Sequence, residues 1–149
     1  MDLSPREVRE VVLADHAALR VRLELLRRAI RVADQSGDAS ALLELLPSLL
    51  DHLSAHLGLE DQLLGPTLAT IDAWGPEREK RMRAEHHSQR EWIKTSRAWL
   101  ESHGDDASEV TTQALVMIGR IEEDMEHEEA EVLDPQLLTD AVIHVDFSG

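Results

Sequence analysis

The sequence predicts an all-α protein, an antiparallel up-down-up-down four-helix bundle. Three observations carry this expectation. Apolar residues recur at helical spacing in four separate stretches. Short turn-forming sequences at Gly37, Gly65-Pro66 and Gly104 divide those stretches. No strand pattern competes, apart from a weak alternation near the C-terminus. The bundle is expected over residues 1–138 and a tail over 139–149.

The first helix opens at Ser4-Pro5-Arg6-Glu7, where Ser4 can cap, Pro5 suits the first helical position and Glu7 completes a capping box. Its inward stripe reads Val8, Val12, His16, Leu19, Leu23, Leu26 and Ile30, with His16 the polar member, and Gly37 is a good stop. The second helix can be capped by Asp38 or Ser40, carries Pro47 near its start, and is expected to end at Gly65-Pro66. Leu42, Leu45, Leu49, Leu53, Leu63 and Leu64 form its apolar side, and His56 and Glu60, four residues apart, lie near the centre of that side. After a connection over 67–75, Pro76 can start the third helix. Its stripe reads Met82, His86, Gln89, Ile93, Ser96 and Leu100; Gly104 closes it, with His103 facing the helix dipole. Ser108 can cap the fourth helix, whose stripe reads Val110, Ala114, Met117, Ile118, Ile121, Met125 and Val132. Residues 141–147 alternate weakly and could lie extended against the bundle. Trp74, Trp92 and Trp99 read as packing residues.

Composition narrows the function classes. The formal net charge of −15 disfavours nucleic acid and anionic membrane as partners. Cysteine is absent, which excludes disulfides and thiolate metal sites and fits a cytoplasmic protein. No apolar run reaches the length of a membrane span, and the N-terminus lacks the apolar core of a signal peptide. Phosphate-binding loops, nucleophile elbows and basic nucleic-acid patches are missing, and nothing marks the cleft or free general base of a zinc hydrolase.

What remains is the inward polar set. His16, His56 and His86 sit on three otherwise apolar stripes, and the second helix adds Glu60. On the fourth helix His127-x-x-x-Glu131 is the obvious pair, but His127 falls about 140° from the stripe centre at about 100° per residue. Asp124 and Glu128 fall on its edge with the same spacing as His56 and Glu60, so Asp124-x-x-x-Glu128 is read as the inward pair and His127 as solvated. A shift of register would instead make His127 and Glu131 ligands. Asp124 reads equally as a ligand and as a position where ligation has been lost. Neutral imidazole with carboxylate suits iron, zinc or manganese. Inward carboxylates without cations would repel and have to bind protons. His52 and Gln89 are placed at the edge of the set, and Asp15 and Glu85 as possible acceptors for ligand imidazoles.

These residues carry a resemblance to the hemerythrin-like, or HHE cation-binding domain, family. Asp15-His16, His56-x-x-x-Glu60 with the following Leu-Leu-Gly-Pro, Glu85-His86 and Asp124-x-x-x-Glu128 are similar to its motifs in order and spacing, over about 8–138. The resemblance implies a non-haem di-iron centre, with another divalent metal as an alternative. It makes Glu60 and Glu128 the bridging pair, and His16, His56 and His86 terminal ligands. Asp124 stands where the family has a histidine, and Arg90 where oxygen carriers have a second one. The implied function is binding, sensing or reducing a small diatomic ligand or peroxide, with turnover or sensing favoured over reversible carriage because more oxygen donors lower the iron potential. The competing reading is a metal-free bundle that serves as an interaction or structural module.

Overall fold

The structure, a computed structural model, describes residues 2–140. Four helices follow one another: α1 Pro5–Ser36, α2 Ser40–Ile71, α3 Gly75–His103 and α4 Ala107–Glu131. They form the expected all-α four-helix bundle, with no strand among the described residues. The segment at 141–147 lies outside the described residues. The α1–α2 and α2–α3 seams are closely packed, α1–α4 less so, and α3–α4 and α2–α4 only sparsely.

Helix α1 begins as its sequence dictates, with the Ser4 side chain accepting from the Glu7 amide and the Glu7 carboxylate accepting from the Ser4 amide. It ends at Gly37, whose φ of 74° is the left-handed conformation that favours glycine. Three other boundaries differ from expectation. Helix α2 does not stop at Gly65-Pro66 but continues to Ile71. Pro66 removes one backbone donor at a cost of about 3 kcal/mol, yet the extra turn buries Leu68 completely, and Ile71 packs against the same cluster. Helix α2 has no side-chain cap; Asp38 instead accepts from the Ser40 amide and hydroxyl. Helix α4 is capped by Asp106, which accepts from the Glu109 amide, rather than by Ser108. The α2–α3 corner is tight enough that a Cβ on Gly75 would lie 2.1 Å from the Leu68 carbonyl oxygen. Trp92 and Trp99 pack against the core, but Trp74 is 69 % exposed at this corner and is not a packing residue.

The core is divided. One apolar cluster joins Leu19 to Ile30 of α1, Leu42 to Leu49 of α2 and Val110 to Met125 of α4. A second joins Val8, Val12, Leu64, Leu68 and Met82 with Leu133 and Leu138, which follow α4, and a third, smaller one joins Leu50, Leu57 and Ile93 between α2 and α3. Between Val12 and Leu19, Leu57 and Leu64, Met82 and Ile93, and Met125 and Leu133, every helix contributes a polar residue instead.

Candidate metal centre

The polar layer consists of His16, His56, Glu60, His86 and Glu128. The first four are buried to 5 % exposure or less, and the Glu128 side chain is 17 % exposed. His16 Nε2 lies 2.9 Å from Glu128 Oε1, His56 Nε2 3.1 Å from Glu60 Oε1, and His86 Nε2 3.4 Å from the same Glu60 oxygen. One donor atom from each of His16, His56, Glu60 and Glu128 falls within 4.8 Å of the other three. His16 Nε2, Glu60 Oε2, His86 Nε2 and Glu128 Oε1 are all buried without a hydrogen-bond partner. Four orphaned polar atoms facing one another from four helices would be costly in a closed apolar core. A cation among them removes that cost. Imidazole nitrogen with carboxylate oxygen is a donor set that suits iron, manganese or zinc, so the residues present fit a metal.

The opposite edge of each imidazole explains why Nε2 points inward. His16 Nδ1–H donates to Glu129 Oε2 at 2.6 Å, His56 Nδ1–H to Asp15 Oδ2 at 2.6 Å, and His86 Nδ1–H to Asp61 Oδ1 at 2.7 Å. A proton fixed on Nδ1 leaves the Nε2 lone pair free for a ligated ion. Each acceptor is held in turn. Arg20 grips Glu129 through two hydrogen bonds of 2.8 Å, and Arg90 grips Asp61. Arg22 Nε–H donates to His52 Nδ1 at 2.8 Å, so His52 carries its proton on Nε2 and donates it to Asp15 at 2.9 Å. Asp15 was legible as such an acceptor. Asp61 and Glu129 were not, although both sit directly beside an inward residue in the sequence, as Asp15 sits beside His16. Glu85, the other acceptor expected, is exposed beside α4.

Without a cation the layer holds protons. Burial, and then Glu60 beside it, push Glu128 up to about 11. Burial also raises Glu60, but the Glu128, His56 and His86 side chains against it outweigh that and hold Glu60 far below the usual carboxylate range. Burial lowers His56 and His86, yet Glu60, with Asp15 and Asp61 respectively, carries both above the usual imidazole value. His16 falls below it because burial prevails over Glu129. Carboxylates sharing a proton, next to imidazoles drawn toward protonation, are what a site built for positive charge becomes when protons alone supply it.

Helix α4 separates its two candidate motifs. Asp124 lies outside the four-donor group. Its side chain is 44 % exposed, 4.0 Å from Arg120, and burial holds its carboxyl above the usual value. His127 is 58 % exposed and pairs with Glu131 at 3.2 Å, on the outer face. Two adjoining cavities reach the layer. One, of about 40 Å³, is lined by His16, His56, Glu60 and Glu128 together with Leu19, Leu53, Trp92 and Ile93. The other, of about 230 Å³, lies between α3 and α4, and Gln89, Asp124 and Glu128 border both.

Fold and layer together define a helical bundle with a candidate cation site at its centre. The family model of the hemerythrin HHE cation binding domain matches residues 8–134, most of the chain and every member of this layer. The chain belongs to that family. No curated protein and no solved structure matches it. No helix among the described residues is long and apolar enough to cross a membrane.

Proposed function

We propose that the protein is a non-haem di-iron protein that binds, senses or reduces dioxygen, peroxide or nitric oxide. The observation that carries this reading is the convergence of four buried, unpartnered atoms, His16 Nε2, Glu60 Oε2, His86 Nε2 and Glu128 Oε1, from four different helices. His16, His56 and His86 would serve as nitrogen ligands and Glu60 and Glu128 as shared carboxylates, with Asp124 a further oxygen donor at the rim. Bound iron would supply a redox centre for a small oxidant. The chain's own contribution is threefold. Asp15, Asp61 and Glu129 fix the imidazole tautomers. The buried carboxylates balance the cationic charge. The cavity of about 40 Å³ beside His16 and His56, partly walled by Leu19, Leu53, Trp92 and Ile93, has room for a small ligand at the donors.

Metal analysis after anaerobic iron loading tests this reading, with up to two irons per chain expected. Glu60→Ala removes metal and His127→Ala leaves it. A folded, loaded protein that retains no iron, manganese or zinc supports the metal-free bundle instead.

A further inference from the structure

Within the metal-binding reading, on which this inference rests, we propose that the centre holds its two cations unequally. One is held tightly by His16, His56, Glu60 and Glu128. The other is held weakly and exchangeably on the α3 side, by His86 with the shared carboxylates.

The donors are distributed in this way. His16, His56, Glu60 and Glu128 already stand within 4.8 Å of one another, and three of them are almost wholly buried. Around His86 the set is thin. Its Nε2 faces Glu60 at 3.4 Å, but among the described residues no further imidazole or carboxylate closes with these two into a second group. Two positions could have completed it. One turn beyond His86 stands Arg90, which has no lone pair to offer and whose guanidinium is committed to Asp61. One turn before Glu128, where α2 has His56 before Glu60, stands Asp124, half-exposed, outside the four-donor group and 4.0 Å from Arg120.

The α3–α4 seam is sparsely packed, and the larger cavity opens there beside Glu85, Asp124 and Glu128. An ion beside His86 therefore has fewer protein donors, and the carboxylate it would share, Glu128, borders the larger cavity. Charge adds to the difference, because the first cation cancels much of the negative potential that would attract the second.

Calorimetric titration of metal-free protein with Fe(II) under anaerobic conditions, paired with native mass spectrometry, tests this. Two steps are expected, separated on the order of 100-fold in Kd, the scale on which changes around a metal alter its affinity. His86→Ala should abolish the weak step alone, and His16→Ala should weaken the tight one. Asp124→His, at a half-exposed position where folding is not at stake, should tighten the weak step toward the first. Two equal steps in the unaltered protein, or an unchanged second step in Asp124→His, overturn the proposal while leaving the metal reading intact. No binding at all overturns both.

Discussion

For each imidazole of the layer, the partner of Nδ1 decides what Nε2 can do. Asp61 illustrates the point. It touches no other member of the layer, yet it sets the tautomer of His86 and is itself aimed by Arg90. Asp61→Asn should leave the helices intact and weaken metal binding by about 10–100-fold, measured by competition with a chromophoric chelator; unchanged affinity would count against a positioning role. Arg20 and Glu129 make the same argument for His16. That such residues escape sequence reading has a physical cause. Helical periodicity tells which side of its own helix a residue occupies, and so it isolated His16, His56, Glu60, His86 and Glu128. It does not tell which neighbouring helix an off-centre residue meets, and Asp61 and Glu129 act entirely across such seams.

Among the elements, the stripes were legible and the boundaries less so. Gly65-Pro66 is a strong local stop signal, but tertiary burial of Leu68 overrides it. The wheel put Asp124 at a stripe edge, and whether an edge residue is covered depends on how closely the next helix approaches. Helix α3 packs only sparsely against α4, so Asp124 stays half in solvent. The corner between α2 and α3 yields a stability test. Gly75→Ala places a methyl where the Leu68 carbonyl oxygen stands at 2.1 Å, and should cost about 1–3 kcal/mol in urea unfolding. Gly119→Ala, at an exposed mid-helix site with nothing within 4 Å, should instead stabilise by about 0.5–1 kcal/mol. Equal effects would mean that the corner relaxes freely.

Over the whole molecule, the proton-holding layer makes stability depend on pH with a definite sign. His56, His86 and Glu128 are raised in the folded metal-free state, so their contributions are full below the ordinary values of 6.5 and 4.5 and are lost as pH rises. Asp15, Asp61 and Glu129 are lowered, and their contributions are lost as pH falls below 3.8 to 4.5. His16, also lowered, adds stability up to its ordinary 6.5 and no more. Above 6.5 the losses act unopposed, so urea midpoints in chelator should decline toward pH 9, while saturating divalent metal should flatten the decline. A midpoint in chelator that rises over that range would contradict the arrangement of charges described above.

The division of the core has a dynamic consequence. The two larger apolar clusters lie toward opposite ends of one set of helices, with the polar layer between them. With a cation clamping four helices at that level, the ends should open together, as one cooperative unit. Without it they become two foldons of different depth: the larger cluster keeps its protection, while the end built on Val8, Leu64, Met82 and Leu138 frays first. Native-state hydrogen exchange would then show a single isotherm for both ends in the loaded protein and two in the stripped one. The ion would thus act as a latch on cooperativity, and its departure would be sensed some distance from the ligands themselves.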